Sequence, residues 1–162
     1  MTETWLPVNG YEGLYEVSDH GRVRSLDRRV ASPSGTRLVH GRVMRPVRLN
    51  HGHLGIRLAK EGDQTHFLIH RLVLTAFVGP SDLHALHRDD DKNNNHISNL
   101  YWGTQSDNAY DRVRNGNHHY ANRTTCVRGH KLTSVDWEKK KRICRTCRSE
   151  ANRRYRERRR VI

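Results

Sequence analysis

The stretch Asp89–Asn95, Asp-Asp-Asp-Lys-Asn-Asn-Asn, constrains this chain more than any other. It offers no apolar position at the two-residue period of a strand or the 3.6-residue period of a helix, so it is a loop. Apolar residues return on both sides. "LHALH" precedes it and "HISNLYWGT" follows, with Ile97, Leu100 and Trp102 able to anchor the loop to a core. Thr104 or Ser106 can cap the next segment, "SDNAYDRVRNG", a helix that ends at Gly116. The order is a strand around 83–87, a polar loop, a short strand and a helix: a ββα plan.

Upstream, turn-forming residues break the apolar runs into short strands. Ser18-Asp19-His20-Gly21 punctuates "YEVSDHGRVRSL", and Asn50-His51-Gly52 and Glu61-Gly62-Asp63 punctuate the run from Gly41 to Val73. This is the pattern of a small, twisted antiparallel sheet. From Leu68 the period changes: Leu68, Leu72, Val73, Ala76 and Phe77 recur at helical spacing until Gly79-Pro80. His70 and Arg71 fall beside that stripe, as partly buried polar positions.

The charge narrows the partners. Thirty Lys and Arg face 17 Asp and Glu across 162 residues, a formal net charge of +13. Residues 1–80 carry +4, residues 81–117 carry −2 and residues 118–162 carry +11. A non-positive centre between basic flanks suits a site that holds a cation while its neighbours grip phosphates. A polyanion, with nucleic acid foremost, is the expected partner; no amphipathic anchor or long apolar run favours a membrane. The start, "MTETWLPVNG", lacks the blocks of a secretion signal, so a cytoplasmic location is expected. The hydrophobic fraction of 34% speaks against one large core.

Hydrolysis of a phosphodiester needs a base for water, a cation at the phosphate, and hydrogen bonds that fix the base. An imidazole that titrates near neutrality suits the first task, and an oxygen ligand at a rigid helix suits a hard cation. His87 at a strand end, Asn99 twelve residues on and Asn108 nine further can supply these roles. His84, His96, His118 and His119 read as surface residues, and Asn93 to Asn95 as turn formers.

Two resemblances sharpen this reading. "WLPVNGYEGLYEVSDHGRVRSL", "GRVMRPVRLNHGHLGIRL" and "HRLVLTAF" resemble the NUMOD-type module found ahead of nuclease domains in phage and intron-encoded proteins. That resemblance implies a DNA-associated accessory module. His87, Asp89, Asp90, Lys92, Asn94, Asn95, Asn99-Leu100, Trp102, Thr104 and Asn108 resemble the framework of the HNH nucleases, the ββα-metal fold, over residues 70–116. By that resemblance His87 is the general base, Asn99 orients His87 or braces the loop, and Asn108 binds one Mg²⁺ or Mn²⁺. Many members of that family carry an Asp ligand immediately before the first His; here Leu86 stands there and cannot coordinate. Either Asn108 holds the ion with water and phosphate, or Asp111, one turn later on the same helix, serves as second ligand. Asp89 and Asp90 are expected to shape the turn.

The tail has its own chemistry. Cys126, His130, Cys144 and Cys147 follow a C-x3-H-x13-C-x2-C pattern, a closed set of tetrahedral ligands for a structural Zn²⁺. Leu132, Val135, Trp137 and Ile143 are too few apolar residues to fold this segment unaided, so zinc would supply the energy. Beyond it, Arg148, Arg153, Arg154, Arg156, Arg158, Arg159 and Arg160 make a basic helix or arm for DNA phosphates.

The expected architecture is α+β. It has a small antiparallel sheet module (1–66), a ββα-metal HNH core (67–117), a zinc knuckle or ribbon (118–147) and a basic C-terminal helix (148–162). The expected activity is metal-dependent endonuclease action on double-stranded DNA, of phage or homing type. A homodimer and phage packaging proteins are compatible partners. A DNA-binding regulator that keeps the HNH frame without catalysis is the alternative that Leu86 raises, and an RNA-binding zinc ribbon is a more distant one.

Overall fold

The computed structural model describes residues 2–33, 35–118, 123–132, 134–136 and 141–159. The chain divides into two compact units, with the boundary between Asn115 and Gly116.

In the first unit the turn residues cut the strands short, as their chemistry requires. Strands β1 (Trp5–Pro7), β2 (Tyr15–Ser18) and β3 (Val23–Ser25) form one antiparallel sheet in that order. Strands β4 (Arg28–Ser32) and β5 (Gly35–Val39) pair as a separate hairpin. Strands β6 (Val47–Arg48), β7 (Leu54–Lys60) and β8 (Asp63–Leu68) form a third sheet. The single sheet suggested by the alternation is therefore three small ones. The turns at 50–52 and 61–63 fall where the sequence places them.

Helix α1 (Ile69–Phe77) joins these sheets to the ββα segment. Its apolar stripe buries Ile69, Leu72, Val73 and Leu74 against Val8, Tyr15, Val17, Val23, Ile56, Leu58 and Leu100. Full burial of each such aliphatic side chain contributes roughly 1.5–3 kcal/mol. This core draws on both sides of position 66, so the boundary expected there separates two sequence motifs, not two cores.

The ββα segment follows. Strand β9 (His84–His87) pairs antiparallel with β10 (Leu100–Gly103), His87 opposite Leu100 and Leu86 opposite Tyr101. A 3₁₀ turn at Ile97–Asn99 leads into β10. Helix α2 (Gln105–Arg114) starts at a capping box: Thr104 accepts from the Asp107 N–H, and Asp107 accepts from the Thr104 N–H. The Trp102 indole donates to the Gly79 carbonyl at 2.9 Å, tying β10 to the end of α1.

The second unit holds strands β11 (Ser134–Asp136) and β12 (Lys141–Ile143), paired antiparallel, and helix α3 (Arg145–Arg159). No residue of α3 is buried. His119, Trp137 and Arg160, named above, lie outside the described residues. No described helix is long and apolar enough to cross a membrane.

Candidate active site

The polar loop between β9 and the 3₁₀ turn is ordered by its own side chains. Asp89 accepts from the Asp91 N–H at 2.8 Å and from the Asn94 amide at 2.7 Å. Asn99 donates from Nδ2 to Asp89 Oδ1 and to the Asn94 carbonyl, each at 2.9 Å, and accepts from the Asp89 N–H at 3.2 Å. Of the two roles expected for Asn99, the geometry shows the brace. Burial alone would raise the Asp89 pKa, but the Asn94 and Asn99 amides together with the backbone N–H groups of Asp91 and Asp89 outweigh it and hold the carboxyl below its ordinary range.

The orienting partner of His87 is Asn95, which composition alone marks as a turn former. Its Oδ1 lies 3.2 Å from His87 Nε2, and both residues are buried. Asn95 Nδ2 donates to the Asn93 carbonyl at 3.2 Å, so its oxygen faces the ring and Nε2 must donate. That fixes the tautomer and leaves the lone pair on His87 Nδ1. Burial lowers the His87 pKa below its ordinary value, and the Asn95 hydrogen bond with Asp89 and Asp91 only partly opposes it. Asn95 in turn rests on Gly21: a Cβ there would sit 2.5 Å from Asn95 Cβ. The turn between β2 and β3 is thus part of the site's support. The Ile97 N–H also donates to the Asp19 carbonyl at 2.8 Å.

His87 and Asn108 line one cleft of about 510 Å³, shared with His53, His70, His84, Leu86, Asp90, Lys92 and Gln105. The Asn108 side chain makes no hydrogen bond among the described residues, whereas its N–H donates to the Thr104 carbonyl inside the helix. Asp90, held at φ 62° as the turn requires, also reaches this cleft. His84, expected at the surface, is exposed and lines it as well. Asp111 must be removed from the ligand set. Its buried carboxylate accepts from the Tyr101 hydroxyl and pairs with Arg114 at 2.8 Å, which commits it to holding α2 on β10.

Two more imidazoles meet His87. Ligating atoms of His53, His70 and His87 all lie within 4.8 Å of one another. The ring centroids are 4.7 Å apart for His53 and His70, and 5.1 Å for His70 and His87. Burial drives the His70 pKa down to about 3, with the charges of His87, His53 and Arg71 adding to it; burial also lowers that of His53. His70 was legible only as a polar residue beside the α1 stripe. His53 gave no signal, because the turn at 50–52 is legible locally but the packing that brings the residue after it against His70 and His87 is not.

In the second unit the four expected zinc ligands come together. Ligating atoms of Cys126, His130, Cys144 and Cys147 all lie within 4.8 Å of one another. The Cys126 sulfur is 3.8 Å from that of Cys147 and 3.7 Å from His130 Nδ1. Gly129, at φ 80°, lets the chain turn so that the Cys126 N–H donates to the His130 carbonyl at 2.8 Å. Burial tends to raise the Cys126 thiol, yet the N–H groups of Arg128 and His130 help pull it down to about 7. Burial and the neighbouring thiols push Cys147 up to about 11. One thiol low and its neighbour high is what crowding of like charges produces. Arg148, Arg153, Arg154, Arg156, Arg158 and Arg159 are all exposed on α3. Arg154 and Arg153 partly neutralise Glu150 and Glu157, at 3.8 and 3.7 Å.

Two strands, a braced polar loop and a helix, with a buried His on the first strand and an Asn on the helix lining one cleft, define the ββα class of nuclease domain. Residues 67–110 match the family model of the HNH endonucleases, and residues 3–58 match that of the NUMOD4 motif. It is similar to the DNA endonuclease I-HmuI of Bacillus phage SP01, 32% identical over 114 residues, 69% of this chain and 59% of that one. An uncharacterized HNH endonuclease of Acanthamoeba polyphaga mimivirus is 32% identical over 118 residues, 72% of this chain and 32% of that one. The solved structure that reports DNA binding and cleavage by the HNH homing endonuclease I-HmuI superposes with a TM-score of 0.58 at 32% identity. That match covers 72% of this chain and 61% of that one. The chain thus spans about three-fifths of I-HmuI and a third or less of the mimivirus relatives.

Proposed function

We propose that this chain is a metal-dependent endonuclease that cuts the backbone of double-stranded DNA at the cleft between β9 and α2. The observation that carries this reading is His87, with its tautomer set by Asn95, in the same cleft as the uncommitted amide of Asn108.

His87 Nδ1 accepts a proton from water as that water's oxygen bonds to phosphorus. The bond from phosphorus to the 3′ oxygen breaks, the 3′ oxygen takes a proton from solvent, and the products are a 5′-phosphate and a 3′-hydroxyl. Burial keeps His87 neutral and able to accept at physiological pH. The cleft's donors fit a divalent cation: Asn108 and Asp90 bring oxygen ligands to a lining that also holds Lys92 and Arg71, cations suited to the phosphate. Mg²⁺ or Mn²⁺ held there would stabilise charge on the phosphate and the leaving oxygen. One such site acts on one strand, so a monomer nicks and a dimer can make a double-strand break.

In the second unit, three sulfurs and one imidazole with no open position suit a structural Zn²⁺. The exposed arginines of α3 suit duplex phosphates without reading bases. Incubation of the purified chain with supercoiled plasmid and Mg²⁺, Mn²⁺ or EDTA tests the proposal. Metal-dependent conversion to nicked or linear plasmid is expected. DNA binding without any conversion, in either metal, would overturn it in favour of a regulator built on the HNH frame.

A further inference from the structure

We infer that His53, His70 and His87 form a second metal site, an all-imidazole one that takes a borderline transition-metal dication such as Zn²⁺. It deepens the reading above, since one of its ligands is the proposed general base.

Three observations carry it. The three rings bring ligating nitrogens within 4.8 Å of one another from separate elements: the lead-in to β7, the first turn of α1 and the end of β9. His70 is only 4% exposed, and its Nδ1 has no hydrogen-bond partner; the buried Nδ1 of His53 has none either. A buried polar nitrogen without a partner costs roughly 1–3 kcal/mol, and a cation satisfies it where a packed core does not. The third ring is already oriented as metal-bound histidines are, one nitrogen donating to an amide oxygen and the other left with its lone pair.

The donor set decides the class of ion. Imidazole suits Zn²⁺ and its transition-metal neighbours, whereas Mg²⁺ keeps to oxygen. Zn–N bonds of about 2.0–2.1 Å place tetrahedral nitrogens about 3.4 Å apart, so the ligating nitrogens would close in by up to about 1.4 Å. All three imidazoles line the cleft that Asn108 and Asp90 also line. His87 has a single free lone pair. Once Zn²⁺ takes it, His87 no longer accepts a proton, and the site acts as a zinc-sensitive brake on cleavage.

The test counts zinc on the full chain without DNA. After equilibration with low free Zn²⁺, the wild type should bind two equivalents and His53→Ala one. Losing a ligand should weaken the second equivalent by more than the roughly 10–100-fold typical of losing an outer partner. Co²⁺ in place of Zn²⁺ separates the two sites, because only the tail site shows thiolate-to-metal absorption. In a parallel assay, added Zn²⁺ should slow Mg²⁺-supported nicking by the wild type by roughly 10²–10⁴, the worth of a general base. His53→Ala, measured against its own zinc-free rate, should resist that inhibition. A wild type that binds one equivalent, or a second equivalent with thiolate absorption, overturns the inference even if His53→Ala fails to fold. A second equivalent in a wild type that shows no nicking with Mg²⁺ even when no zinc is added would sustain the site and refute the nuclease reading instead.

Discussion

At the scale of single residues, the site depends on which nitrogen of His87 is free, and Asn95 decides that. A base works in its neutral form, and burial holds the His87 pKa below its ordinary value of about 6.5. The sign follows directly: lowering the pH removes the neutral form only once it passes that depressed value. With Mg²⁺, the acid limb of kcat/KM should therefore lie below pH 6.5. The Asn95 hydrogen bond favours the protonated ring, so Asn95→Ala should shift the limb to still lower pH while reducing the plateau rate. A pH–rate profile of both proteins checks this; an unmoved limb in Asn95→Ala would show that Asn95 does not act on the base. The sequence identified His87 because a strand end, a polar loop and a downstream helix fix its place locally. It did not single out Asn95 among three consecutive asparagines, since only the fold decides which of them turns inward. Asp111 failed as a ligand for a related reason: helical spacing gave its distance from Asn108 but not the Tyr101 hydroxyl that claims it.

At the scale of elements, the β2–β3 turn and the polar loop after β9 make one device. Gly21 adopts φ 79°, and Gly10 adopts the same φ in another turn. A Cβ at Gly10 meets nothing within 4 Å, whereas one at Gly21 meets Asn95 at 2.5 Å. Alanine at either position carries the same backbone penalty, on the order of 1 kcal/mol, so the pair separates strain from collision. Gly21→Ala should lose most of its nicking activity with Mg²⁺, and Gly10→Ala should keep it, when both are assayed well below their melting temperatures. Equal losses would mean that the turn does not support the loop. The elements themselves were largely legible. The turns, α1, the Thr104 cap and the stop near Gly116 follow from local chemistry. The partition of the early strands into three sheets was not, because pairing is a long-range choice that alternation leaves open.

At the scale of the whole chain, the division of labour follows the charge. The first unit holds the cleft, and the second displays exposed arginines on a helix with no buried face. Among the described residues no carboxylate pairs with Arg156, Arg158 or Arg159, in contrast to Arg153 and Arg154. Replacing those three by Gln should weaken binding to all duplex sequences alike. It should also flatten the log–log salt dependence by roughly 0.9 for each phosphate that is no longer neutralised. A change in sequence preference at constant salt slope would contradict a phosphate-gripping role. The Cys126, His130, Cys144 and Cys147 cluster was readable because closely spaced Cys and His residues in sequence converge in space. The His53, His70 and His87 cluster was not, because its members lie 17 residues apart and meet only through tertiary packing.

The most direct test of the account compares wild type with His87→Ala in single-turnover cleavage of plasmid DNA, with DNA affinity measured on the same preparations. The expected result is a rate loss of roughly 10²–10⁴ at unchanged affinity. Cleavage by His87→Ala at the wild-type rate would contradict it.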